Sequence, residues 1–86
     1  MKIEYYLIGD CMKELHKDKY KLLGLNIAYY RKLNGYTQET FAEKLDIDRT
    51  TVSKIELATC GTSLDLLFDI SELLNIPINK LFDFRQ

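Results

Sequence analysis

Proline occurs once and glycine four times in the 86 residues, and tryptophan is missing. So few chain breakers exclude a proline- or glycine-rich linker, a low-complexity tract and a collagen-like repeat. Soft metal ligands are equally scarce: Cys11, Cys60 and the single His16 are the full supply. They form no CxxC or HxxxH spacing, so no metal site is expected. A Cys11–Cys60 disulfide is disfavoured in a reducing compartment. Long apolar runs are absent too. The longest are four residues, as at Tyr5 to Ile8, against the roughly 20 that span a bilayer. One early Lys2 and an apolar patch broken by Gly9 and Asp10 fall short of a secretory leader, so a cytoplasmic, non-membrane protein is expected. No Ser/His/Asp or Cys/His arrangement, glycine-rich phosphate loop or paired-carboxylate cleft is readable. Neither an enzyme nor a cofactor is expected.

No sign of charge dominates, with 12 basic and 13 acidic residues and a net charge of −1. The distribution is uneven, however. Residues 13–32 carry six Lys/Arg against two acids, whereas residues 33–86 carry five against nine. The whole chain therefore lacks the basic footprint usual for nucleic-acid binders. Screening over about 8–10 Å still lets local patches set the field that a phosphate feels.

Along the chain, Ile3, Tyr5 and Leu7 alternate with Glu4, Tyr6 and Ile8, which permits a short strand or a helix. From Tyr20 the pattern is helical: Leu23, Ile27, Tyr30 and Arg31 recur at spacings of three and four, and Asn34-Gly35 supplies a stop. Thr37 reads as the N-cap of a second helix, from Gln38 to Leu45, with Phe41, Ala42 and Leu45 inward. Asp48 reads as the next cap. The third helix turns Val52, Ile55 and Glu56 to one side and Arg49, Thr50, Ser53 and Lys54 to the other, and a break falls at Thr59 to Thr62. Ser63 caps a fourth helix with Leu64, Leu67, Ile70, Ser71 and Leu74 inward, stopped by Asn75. Pro77 suits the first position of a final short helix. An all-α bundle of five helices is expected, with residues 1–21 as an N-terminal extension and 22–86 as the domain.

Two short helices joined by about three residues form a helix-turn-helix, whose tight turn frees one face of the second helix for a groove. The residues on that face suit DNA. Arg49 and Lys54 can donate to guanine N7 and O6, and Thr50 can touch a thymine methyl. Thr51 and Ser53 are short enough for the backbone to approach phosphates. Thr37 and Gln38 stand at a helix N-terminus, where orphan N–H groups favour an anion.

The segments LGLNIAYYRKLNGYTQETFAEKLDIDRTTVSKIE and TSLDLLFDISELLNIPINKLFDF resemble the lambda repressor/Cro-type (XRE) helix-turn-helix family over residues 23–84. The resemblance implies a five-helix DNA-binding bundle. It implies phosphate contacts from Thr37 and Gln38, base reading by Arg49, Thr50 and Lys54, and a backbone contact from Thr51. Ala42 matches the small residue that allows close helix packing, and Arg31 with Glu56 matches an ion pair joining the first and third helices. An unpaired buried charge would cost several kcal/mol, so both charges need that partner.

Three departures stand out. Asp46 occupies a turn position that is usually glycine, the loop Thr59 to Thr62 lacks the usual basic residue and proline, and Glu39 and Asp48 put negative charge near the reading face. Tyr30 and Tyr36 are expected to pack inside, and Tyr29 and His16 to lie at the surface. Leu57, Leu66, Phe68, Leu73 and Phe84 exceed what one small core can hide, which predicts self-association. The resemblance implies a twofold dimer on a palindromic operator, hence a sequence-specific regulator, with repression the expected mode, reading double-stranded DNA with the helix around 49–57. The alternative is an antitoxin- or controller-type module whose main partner is another protein.

Overall fold

A computed structural model describes residues 13–84. The strand-or-helix segment Met1 to Ile8 and the Cys11–Cys60 pairing involve residues outside them. Among the described residues the secondary structure is entirely helical: a 3-10 turn, Glu14–His16, followed by five α-helices. These are α1 (Lys17–Leu33), α2 (Gln38–Leu45), α3 (Arg49–Glu56), α4 (Leu64–Leu74) and α5 (Ile78–Leu81). No described helix is long and apolar enough to cross a membrane.

Apolar spacing assembles the core. Leu23 and Ile27 of α1 meet Phe41 and Ala42 of α2, Val52 and Ile55 of α3, Leu67, Ile70 and Leu74 of α4, and Leu81 of α5. Each fully buried large side chain contributes about 1.5–3 kcal/mol. The most extensive helix–helix contact is α2 with α3; α1 closes over α3, α4 and α5. Tyr30 and Tyr36 pack against this core, and Tyr29 is exposed.

Four helices end in the same way. After α1, α2, α3 and α4 the chain passes through a left-handed residue: Gly35 (φ 81°), Asp46 (59°), Ala58 (61°) and Asn75 (57°). Each end is closed by a pair of backbone bonds, such as Tyr36 N to Arg31 O at 3.1 Å and Ile47 N to Ala42 O at 3.0 Å. This Schellman arrangement satisfies the last carbonyls and turns the chain sharply. Asp46 thus performs the turn that glycine would make without a Cβ penalty.

Helix starts differ in detail from the sequence reading. Thr37 accepts from Thr40 N in a capping box, and Ser63 accepts from Leu66 N. Asp48 holds the N-cap position of α3, but its side chain makes no capping bond. Pro77 is the N-cap of α5 rather than its first residue, because its ψ of 147° is extended. The periodicity predicts a start at Tyr20, whereas α1 begins at Lys17. Its first turn is polar and leaves no apolar trace, so the 21/22 boundary falls inside one continuous helix. The third helix closes at Glu56, ahead of the break read at Thr59, because Ala58 already turns the chain. Leu64 is 63% exposed rather than inward, since it opens α4 ahead of the first buried turn.

Candidate nucleic-acid interface

The relation between α2 and α3 follows from three residues of turn, Asp46, Ile47 and Asp48, between Leu45 and Arg49. Asp46 reverses the chain, and Ile47 packs against the core. Ala42, buried where the two helices meet, has only a methyl group to place between them.

On α3, Val52, Ile55 and Glu56 are buried, while Arg49, Thr50 and Lys54 are exposed. Thr51 and Ser53 are half-buried at the margins of that face. The side chains of these five outer residues form no hydrogen bond or ion pair with another described residue. An eight-residue helix thus keeps one wall in the core and offers the other uncommitted.

The inner wall is locked by charge. Arg31 Nε donates to Glu56 Oε2 at 2.6 Å and Nη2 to Oε1 at 3.1 Å. Both side chains are almost fully buried, at 7% and 6% exposure. The guanidinium spends a further donor, Nη1, on the Tyr36 carbonyl at 2.8 Å. Gln38 Nε2 donates to Glu56 Oε1 at 3.0 Å. One network therefore joins the end of α1, the Tyr36 turn, the start of α2 and the end of α3. A bidentate pair with its remaining lone pairs satisfied is the form in which buried charge is tolerated.

Two residues expected at phosphates thus have structural duties as well. Gln38 is half-buried and braces Glu56, leaving one amide hydrogen and its carbonyl oxygen outside that bond. Thr37 is exposed, and its hydroxyl serves the capping box. Glu39 and Asp48 are exposed beside them.

Sequence reasoning missed two supports of this site. Gly24 lets the backbone of α1 approach the Ile55 and Glu56 carbonyls, a contact no side chain would fit. Asn26 Nδ2 donates to the carbonyls of Leu81 and Asp83, at 2.9 and 3.1 Å, tying the end of α5 to α1. A glycine or asparagine within a helical pattern that shows no turn is the available signal for each.

A helix-turn-helix family model matches residues 27–81, well over half of the chain. The chain belongs to the helix-turn-helix family. It is 38% identical over 60 residues to an uncharacterized HTH-type transcriptional regulator of Methanocaldococcus jannaschii, a match covering 70% of this chain and 91% of the relative. Among solved structures, this helix-turn-helix chain is similar to the restriction-modification controller protein C.AhdI from Aeromonas hydrophila. That match has a TM-score of 0.72 and 26% identity, and covers 76% of this chain and 98% of the other. It is also similar to SinR, a Bacillus subtilis protein described as the master regulator for biofilm formation and solved in complex with DNA. There the TM-score is 0.67 and the identity 31%, over 71% of this chain and 98% of SinR's.

Proposed function

We propose that this helix-turn-helix chain is a dimeric, sequence-specific regulator of transcription that reads the major groove of double-stranded DNA with α3. The observation carrying the proposal is the uncommitted Arg49–Thr50–Lys54 face of a helix whose opposite side is buried. Arg49 and Lys54 donate to guanine edges, and Thr50 contacts a thymine methyl or donates a hydrogen bond. Thr51 and Ser53, short and at the margins, let phosphates approach. Thr37 and Gln38 place the N-terminus of α2 against the backbone, with Gln38 retaining its bond to Glu56. Phosphate contacts of this kind set register, and base contacts set specificity. SinR, solved with DNA, supports the reading by its similarity.

Leu64, Phe68 and Phe82 are exposed on α4 and just after α5, and they supply the dimer contact. Leu57 is exposed as well, whereas Leu66, Leu73 and Phe84 are partly used by the chain's own core. A twofold dimer sets its recognition helices about 34 Å apart, one helical turn of DNA, and so favours a palindromic operator. Regulation is by occupancy: a dimer sitting on an operator across a promoter blocks transcription there. The reaction needs neither catalysis nor a cofactor, and its place is the cytoplasm, where the promoters are.

Selection of bound sequences from random duplex DNA tests this. Enrichment of a palindrome with half-sites one helical turn apart is the expected result. Recovery of no consensus at moderate salt would remove the DNA reading and favour a module whose main partner is a protein.

A further inference from the structure

Along α1, Leu25, Tyr29 and Leu33 recur every fourth residue and are 60%, 59% and 66% exposed. Leu22 continues the line, half-buried, as far as the exposed Asp18 one turn before it. This side lies opposite Leu23, Ile27 and Arg31, which are buried. A helix that buries one stripe ordinarily turns polar residues outward. Here a second apolar stripe runs outside, and contiguous apolar surface of that kind marks an interaction site. The Tyr29 ring stands edge-on against Tyr30, centroids 4.9 Å apart, which holds it in place.

Charge selects the occupant. The charges of α1 are Lys17, Lys19, Lys21, Arg31 and Lys32 against Asp18 alone. Arg31 is spent on Glu56, while Lys21 and Lys32 are exposed. Lys21 stands four residues before Leu25 and Lys32 three after Tyr29, so both flank the stripe. Two copies of this face would oppose lysine to lysine, which disfavours self-pairing. An amphipathic helix with leucines along one side and glutamates at its margins complements both features.

We propose that the Leu25–Tyr29–Leu33 face of α1 docks an acidic amphipathic helix of a second protein. The face shares no residue with the Arg49–Lys54 surface, so the proposal does not depend on the DNA reading. The inner side of the same helix holds α3 through Gly24 and Arg31. A helix docked outside therefore braces the element against which the recognition helix rests.

The test titrates the isotope-labelled full chain with a designed helical peptide bearing leucine at its a and d positions and glutamate at e and g. A matched peptide with lysine for glutamate is the control. The glutamate peptide is expected to shift the α1 amides saturably, at least about tenfold more tightly than the lysine peptide, and to weaken with added salt. The double variant L25E/Y29E loses this binding while its helical circular dichroism and DNA binding stay unchanged, both side chains being exposed. Equal binding of the two peptides, binding of neither, self-association abolished by L25E/Y29E, or α1 shifts produced by anionic lipid vesicles in place of the glutamate peptide would each overturn the proposal.

Discussion

Gly24 and Glu56 meet backbone to backbone: a Cβ built on Gly24 lies 2.5 Å from the Glu56 carbonyl oxygen and 2.7 Å from that of Ile55. Both opposing atoms belong to the main chain at the end of α3, which cannot rotate aside as a side chain does.

Gly24→Ala therefore forces α1 and α3 apart. The gain in helix propensity, about 1 kcal/mol, is outweighed by overpacking, which costs about 1–3 kcal/mol and more against rigid backbone. Net destabilisation is expected by urea denaturation. A midpoint equal to or above that of the parent chain would contradict the contact.

Removing one end of the buried ion pair strands the other. Glu56→Ala leaves the Arg31 guanidinium buried with only the Tyr36 carbonyl, and a loss of about 3–5 kcal/mol is expected. Gln38→Ala keeps the pair and removes one auxiliary bond, for about 0.5–1.5 kcal/mol. The two thermal unfolding curves should differ by that ordering.

Asp46 is exposed and sits in the left-handed region at φ 59°. Asp46→Gly relieves a Cβ clash worth roughly 1–2 kcal/mol for an ordinary residue and less for aspartate, offset in part by unfolded-state entropy. A gain of about 0.5–1 kcal/mol is expected from chemical denaturation.

Arg49→Ala removes a donor that no neighbour uses, so stability should hold while DNA affinity falls by about 1–3 kcal/mol and specificity relaxes at one base pair. Lys54→Ala should likewise relax specificity at a second base pair, whereas loss of a mere phosphate contact would weaken all sequences alike and lower the salt slope by about one. Titrations on selected and scrambled duplexes at several salt concentrations separate the two outcomes.

The elements most legible in the sequence are those whose signals are local. Thr37, Ser63, Asn34-Gly35 and Asn75 mark helix ends through side-chain capping or a left-handed residue, and α2 falls where they place it. The inward faces of α2 and α3 follow from apolar spacing. The Arg31–Glu56 pair came from the family resemblance, since residues 25 positions apart announce no contact of their own. Ala58 gives no stop signal, because alanine favours helix; it is buried, and the bonds from Ala58 N to Ile55 O and from Thr59 N to Lys54 O close its left-handed turn. Leu64 looked inward because periodicity cannot tell the first residue of a helix from its buried turns. Gly24 and Asn26 depend wholly on what the fold brings beside them.

Asn26 grips carbonyls belonging to residues 55 and 57 positions further along the chain. Its single amide group fastens the tail of a four-residue helix to the midpoint of the longest one. Hydrogen exchange in that tail should accordingly track the opening of α1 instead of fraying ahead of it, so that the tail and the middle of α1 come undone in one cooperative event.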